Sequence, residues 1–150
     1  MERNYEGNLF GSLIQPQSIT GTLYNGAAAT TAAGTGLDTA GYDGITIILN
    51  SGTFTGDGAL DVTVVTSATD DSTSTAAVAS AVFTQITTAN HQAMYKGYVK
   101  VHAQNRYLWL KSVKGGSGAA LISASYAMDR NPKHPELARA SLAFVIDQSV

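Results

Sequence analysis

Histidine and carboxylate side chains have the greatest capacity for chemistry in this sequence. The histidines, His91, His102 and His134, lack the His-Glu-x-x-His spacing of a zinc site, and no cysteine is present to complete one. His102 alternates with Val101 as an outward residue of a predicted strand, and His134 lies between a lysine and a proline. We therefore expect surface histidines, with neither a metal nor another cofactor.

Four aspartates raise the question of glycoside hydrolysis, which needs two carboxylates facing each other across a cleft. They are Asp38, Asp43, Asp57 and Asp61, and all lie near glycine-rich corners or on the outward side of a predicted strand. The Gly56-Asp57-Gly58 corner lacks the ligand spacing of an EF-hand loop, and no Gly-x-Ser-x-Gly elbow accompanies the abundant serines. The sequence predicts no enzymatic activity. A hydrolase whose carboxylates meet only in space is the third-ranked alternative.

Two glycine-rich segments resemble phosphate-binding loops only in part. Gly34-Thr35-Gly36 is not followed by the third glycine of a dinucleotide loop, and Lys114 precedes its glycines, which is the reverse of a P-loop. These segments and Asn25-Gly26 consist of residues that accept turn conformations at low cost. We interpret all of them as connectors between strands.

Short strands separated by turns must position these residues. The clearest candidates are Ile45 to Leu49, Leu60 to Val65, Ala81 to Ile86, Tyr98 to Val101, Tyr107 to Val113 and Leu121 to Tyr126, with weaker ones at Ile19 to Tyr24 and Ala28 to Ala33. Leu60, Val62 and Val64 alternate with polar residues, which predicts one buried face. Ile45 to Leu49 hardly alternates and is predicted to lie in mid-sheet, covered on both sides.

The connections between the strands predict the fold class. Turn residues around Asn105 and at Lys114 to Gly118 predict two antiparallel hairpins. The polar stretch from Ser67 to Ala79 is predicted to be a loop, with a helical turn through Ala76 to Ala79 as an option. No long helical pattern separates the strands. We therefore predict an all-β protein, a two-sheet, jelly-roll-like β-sandwich with extended N- and C-terminal arms.

The two ends of the chain carry apolar residues outside the predicted strands. We divide the chain into an N-terminal arm at 1–18, a β-sandwich domain at 19–128 and a C-terminal tail at 129–150, because Pro132 and Pro135 interrupt the ladder. The tail fits a helix or a strand. The apolar residues of the two ends are Leu9, Phe10, Leu13, Ile14, Leu142, Phe144, Val145 and Ile146. They either pack on their own domain or contact a neighbouring subunit.

An aromatic group straddles one predicted hairpin, which is also the most basic stretch of a chain whose basic residues are otherwise scattered. Tyr95, Tyr98, Tyr107 and Trp109 alternate there with lysines and Arg106. Such residues are favoured anchors at interfaces, and their rings also stack on sugars. The alternative is that the rings fill the core, which we favour for Trp109. Tyr95 and Tyr98 stay candidate contact residues.

The low charge of the chain points to assembly. Charged residues make up 13% of the 150 residues and the net charge is -2, which gives little electrostatic protection against association. The basic residues are scattered, so we expect no nucleic-acid partner. No apolar run is long enough to span a bilayer and the N-terminus lacks a signal sequence, so we expect no membrane partner and synthesis in the cytoplasm.

Several motifs resemble those of tailed-bacteriophage head decoration proteins, also called capsid cement proteins. The motifs are Gly34-x-Gly36-Leu37-Asp38-Thr39-x-Gly41-Tyr42-Asp43, then a hydrophobic strand, then Ser51-Gly52-Thr53, Gly56-Asp57-Gly58-x-x-Asp61-Val62 and Gly97-Tyr98-Val99-Lys100-Val101. The resemblance covers residues 20–128 and rests on turn and strand patterns. Neither end of the chain matches.

The resemblance implies a structural virion protein on the outer surface of an icosahedral capsid. Such a protein would bridge subunits of the major capsid protein and associate with itself as a homodimer or homotrimer. It would be made in the host cytoplasm and end in the virion. The alternative function is a carbohydrate- or cell-surface-binding β-sandwich, with Tyr98 and Trp109 as its platform.

Overall fold

The computed structural model of the chain describes residues 9–28, 31, 34–101, 104–130 and 144–147, with the backbone alone described at 79 and 144–147. The strands are β1 (Leu9–Ile19), β2 (Thr22–Tyr24), β3 (Leu37–Asp38), β4 (Gly44–Phe54), β5 (Ala59–Ser67), β6 (Ala76–Val82), β7 (Ile86–Thr87), β8 (Met94–Lys100), β9 (Tyr107–Lys114), β10 (Ala120–Asp129) and β11 (Phe144–Asp147). A short 3-10 turn occupies Ser72–Ser74. No helix in the described part of the chain has the length and apolar character to cross a membrane.

The strands form two sheets that pack face to face. A five-stranded sheet has the order β1-β10-β4-β8-β11, and a six-stranded sheet has the order β2-β9-β5-β6, with β3 paired to β9 and β7 paired to β5. When the short strands β3, β7 and β11 are left out, eight strands remain and can be counted in chain order. The first, eighth, third and sixth of these eight form one sheet. The second, seventh, fourth and fifth form the other. This is the double Greek key of a jelly roll, so the predicted fold class is confirmed.

The core lies between the sheets and comes from one side of each strand. Leu60, Val62 and Val64 of β5 are fully buried, as their alternation predicts. Strand β4 lies between β10 and β8, so its predicted mid-sheet position is confirmed. It alternates after all, because Ile45 and Leu49 are buried whereas Ile48 on the outer side is only half-buried.

The segment expected to be an N-terminal arm is mostly a strand of the domain. Residues 9–19 form β1, which pairs with β10 along its whole length. The register shifts between Ser12 and Ile14 and again before Gln17, and such irregularities let the consecutive residues Leu13 and Ile14 both reach the core. Because this bulge and Pro16 interrupt period-two alternation, the sequence pattern did not indicate a strand.

Both predicted hairpins are wrong, because each joins strands of different sheets. Strand β8 belongs to the five-stranded sheet whereas β9 belongs to the six-stranded sheet, so the turn near Asn105 crosses between the sheets. Gly115 to Gly118 likewise crosses from β9 to β10. The helical turn considered at Ala76 to Ala79 is also wrong: these residues are in β6, and the helical turn comes before them at Ser72–Ser74.

The last described segment forms an edge of the five-stranded sheet. Strand β11 runs parallel to β8, with Phe144 opposite Gly97 and Asp147 opposite Lys100. Within the described chain the five-stranded sheet therefore ends in β1 on one side and in β11 on the other. The tail prediction at Leu142 lies outside the described residues.

Candidate docking face

The outer surface of the five-stranded sheet is built by strand register. Phe10, Ala127, Thr46 and Tyr98 lie side by side across β1, β10, β4 and β8. The next outward row is Ser12, Ser125, Ile48 and Lys96, and a third is Ser123, Asn50 and Met94. Leu121 follows at the far end of β10, opposite Ser18. We call this surface the docking face.

Three large apolar side chains protrude from the docking face. Phe10 is 61% exposed, Met94 58% and Leu121 45%. Between them stand short neutral side chains and the half-buried Ile48. Because several large exposed apolar side chains on one sheet face are uncommon in isolated domains, this face is the strongest candidate for contact with another protein.

A shallow groove crosses the docking face between Met94 and Leu121. Its volume is about 470 Å³ and its floor includes Asn50 and Gly52. A Cβ atom at position 52 would come within 2.9 Å of the Leu121 side chain, so glycine is what lets Leu121 lie across β4. The groove offers space for a side chain of a partner.

The docking face carries little charge in its middle. Among the described side chains of the three rows, Lys96 is the charged one. Docking there would desolvate few ions, and the desolvation of ions is the costly part of burying a polar surface. Shape and apolar area would therefore dominate the contact.

The structure separates the predicted contact residues into three groups. Leu9 and Phe10 are exposed, and Phe10 lies on the docking face, whereas Leu13 and Ile14 are buried in the core of their own domain. Phe144, Val145 and Ile146 pair with β8 through their backbone. Leu142 lies outside the described residues.

The aromatic residues predicted to contact a partner are also packed within their own domain. Tyr98 is 6% exposed, because it lies across β4 at a position where Gly44 leaves room for its ring. Tyr95 packs against the core, and its hydroxyl donates to the Asn90 carbonyl at 2.6 Å. Burial raises the pKa of Tyr95. Trp109 is fully buried, so neither ring expected for a sugar platform presents a face to solvent.

Sequence reasoning missed Met94 and Leu121 on the docking face. Leu121 lies between Ala120 and Ile122, both buried, so alternation along this strand places it on the opposite side. That signal was available but was masked by the continuous apolar run. Met94 precedes the predicted start of its strand and gave no signal.

Three of the four candidate carboxylates, Asp38, Asp57 and Asp61, are held in structural contacts, whereas Asp43 lines a pocket beside Arg106. Asp38 forms a bidentate pair with Arg106, whose hydrogen bonds lower the pKa of Asp38 to about 2. Asp57 lies at the other end of the sandwich and accepts hydrogen bonds from Ser117, which lower its pKa. Asp61 accepts from the Gln85 side chain at 2.8 Å.

One further polar centre lies beside Asp57. Lys114 is 4% exposed, and its ammonium donates to the carbonyls of Asp57 at 2.9 Å, Gly115 at 2.7 Å and Ser117 at 3.1 Å. It lies 5.9 Å from the centre of the Phe54 ring. We call this arrangement the lysine corner; it ties the β4–β5 turn to the β9–β10 turn.

The described residues contain no group of three or more histidine and carboxylate side chains close enough to hold a metal ion. The described histidine, His91, contacts the Gly52 carbonyl at 3.2 Å and the Phe54 ring. Comparison with protein-family models and with curated protein sequences found no match to this chain.

Proposed function

We propose that this protein is a structural component of a bacteriophage virion that binds the outer surface of the icosahedral capsid and bridges subunits of the major capsid protein. The observation that carries the proposal is the docking face, with Phe10, Met94 and Leu121 exposed on a nearly uncharged sheet. The motifs that resemble decoration proteins lie in turns and strands of a jelly roll, the fold that the resemblance implies.

The mechanism needs no chemical step. A protein that binds the assembled shell and not the free capsid subunits stabilises the shell by the free energy of binding, and repeated copies multiply this effect. Complete burial of one large apolar side chain contributes roughly 1.5–3 kcal/mol, so three such groups support a specific but reversible contact per copy.

Self-association belongs to the same proposal. A homodimer or homotrimer would place several docking faces on neighbouring capsid subunits at once, which raises the effective affinity without new contacts in each protomer. The described chain has little charge to oppose such an assembly, since the net charge of the sequence is -2.

A binding experiment with empty heads tests the proposal. The purified protein is mixed with expanded heads assembled without it, and cosedimentation is measured for the wild type and for a Phe10→Glu, Leu121→Glu double variant. We expect saturable binding of the wild type and a loss of at least tenfold in affinity for the variant, because two carboxylates would be desolvated at the contact.

The matched control is Val82→Glu, which alters an exposed apolar residue on the outer side of the six-stranded sheet. Val82 is 48% exposed, close to the 45% of Leu121. The control should bind like the wild type. Equal binding by the double variant would assign the contact to another surface, and absence of wild-type binding would overturn the virion role.

A further inference from the structure

The Asn25-Gly26 sequence forms a tight two-residue hairpin turn. Tyr24 and Ala27 exchange both backbone hydrogen bonds, at 2.7 and 2.9 Å. Asn25 has φ 46° and Gly26 has φ 84°, the positive values that a type I′ turn requires. It is the one place in the chain where glycine follows asparagine.

The side chain of Asn25 takes the place of a strand residue beside β9. Its Nδ2 donates to the carbonyls of Thr35 at 3.2 Å and Leu108 at 3.3 Å, while its Oδ1 accepts from the Leu110 amide at 2.8 Å. Its backbone N–H donates to the Leu110 carbonyl at 3.1 Å. The amide is thus held by both its donors and its acceptor.

This dipeptide has the chemistry of spontaneous deamidation. The backbone nitrogen of Gly26 attacks Cγ of Asn25, a new N–Cγ bond forms, and Nδ2 leaves as ammonia with the proton from the Gly26 amide. Water then opens either C–N bond of the resulting succinimide and leaves aspartate or isoaspartate. Glycine favours the attack because no Cβ hinders it.

We propose that Asn25 is a deamidation site that the fold keeps unreactive until the hairpin turn opens. Attack requires Cγ to rotate toward Gly26, and that rotation breaks the bonds from the Asn25 side chain to Thr35, Leu108 and Leu110. The turn is also packed against β1, since a Cβ at position 26 would meet the side chains of Gln17 and Ile14. Reaction therefore reports a local opening of this region.

Deamidation would loosen the segment 34–36, which covers Trp109, the single tryptophan of the chain. An aspartate at position 25 cannot donate, and its negative charge would lie beside the carbonyls of Thr35 and Leu108. The segment 34–36 is held by Asp70, which accepts from the amides of Gly34 at 3.0 Å and Gly36 at 2.9 Å. Gly36 packs on the Trp109 ring, so loss of the Thr35 contact loosens that cover.

The rate of modification tests the protection. Wild-type protein, the same protein unfolded in urea, and a free peptide spanning residues 22–28 are incubated at the same mildly alkaline pH, and conversion at Asn25 is followed by mass spectrometry. Because several hydrogen bonds must break together, we expect the folded protein to react on the order of 100-fold more slowly than either unfolded form. Equal rates would overturn the proposal.

A second measurement tests the coupling to Trp109. Asn25→Asp should make Trp109 fluorescence more accessible to quenching by acrylamide, whereas Asn50→Asp, at an exposed position of the docking face, should leave it unchanged. Unaltered quenching in a folded Asn25→Asp protein would show that position 25 does not hold the cover. Neither measurement depends on the virion role.

Discussion

The lysine corner is unusual at the residue scale, because lysine is rarely buried without a carboxylate partner. Here the ammonium of Lys114 is surrounded by three backbone carbonyls from two different turns. The side chain therefore serves as a bound cation that belongs to the chain itself. It holds the β4–β5 and β9–β10 turns together at one end of the sandwich.

Replacing Lys114 by methionine should destabilise the fold. The side chain keeps its apolar stem but no longer donates to the carbonyls of Asp57, Gly115 and Ser117, so we expect a loss of about 1–3 kcal/mol in the free energy of unfolding. Urea unfolding followed by Trp109 fluorescence measures it. Lys111→Met, on the solvent side of the same strand, is the control and should change stability by less than about 1 kcal/mol. Equal losses in the two variants would refute a special role for the lysine corner.

The ion pair between Asp38 and Arg106 makes a defined contribution to acid stability. Because Arg106 lowers the pKa of Asp38 from 3.8 to about 2, the pair stabilises the fold above pH 3.8 and loses this effect as the pH falls toward 2. The pair is exposed, so screening by solvent keeps its contribution to the free energy of unfolding small.

Thermal unfolding between pH 5 and pH 2 checks that expectation. Asp38→Asn should lose less stability over this range than the wild type, and Arg106→Gln should show the same flattening because it removes the partner. Curves that run parallel for the wild type and both variants would contradict the role of the pair.

The sequence showed which residues are apolar, but not which of them pack in the core and which protrude from the surface. Leu13 and Ile14 were grouped with Phe10 as contact residues, yet they fill the core while Phe10 protrudes. Alternation alone places Phe10 and Leu13 on opposite sides of β1, whereas Ile14 joins Leu13 in the core because of a bulge that no local pattern encodes. Trp109 was correctly favoured as a buried residue, although it lies on the outer side of its strand beneath the segment 34–36.

At the scale of elements, β11 covers an edge that would otherwise invite pairing. It adds a parallel strand along Gly97 to Lys100 of β8, and its removal would leave the backbone groups of this stretch unpaired. The other edge, β1, is interrupted by two register shifts and contains Pro16, features that discourage pairing with a second chain. The two edges are therefore protected by different means.

Deletion of residues 136–150 should leave a folded sandwich that associates with itself. Among the described side chains, the buried core consists of residues between Leu13 and Met128, so we expect cooperative unfolding to persist. The uncovered edge of β8 should produce concentration-dependent dimers or larger species in sedimentation velocity, with the full-length chain as reference. A deleted protein that sediments like the full chain at every concentration would show that β11 does not protect this edge.

Most strand positions were predictable from the sequence, but their partners were not. The exceptions are β1, which was missed, and Ala81 to Ile86, which covers only the end of β6 and the start of β7. The runs at Leu60 to Val65 and Tyr107 to Val113 fall within β5 and β9, because alternation is a local property. The turn residues near Asn105 and Gly116 fit hairpins equally well as crossings between sheets. Only the global order, in which most successive long strands change sheets, decides between the two.

At the scale of the whole molecule, the composition and the fold are consistent with each other. A jelly roll buries one side of every long strand and leaves two broad outer faces, and in this chain short hydroxyl and alanine side chains recur on those faces. The fold class could be predicted because the regular spacing of short strands and turns and the absence of helical patterns are properties of the whole sequence. The docking face could not, because it depends on the register between strands far apart in the chain.

The pairing of β1 with β10 also has a consequence during synthesis. Leu9 faces Met128, so the first described strand has no neighbour in its sheet until nearly the whole domain has left the ribosome. Phe10 and Leu121 come to lie on the same outer surface only at that moment. A chain that ends before β10 therefore lacks a complete docking face, so an assembly that uses this face would select complete molecules without any separate checkpoint.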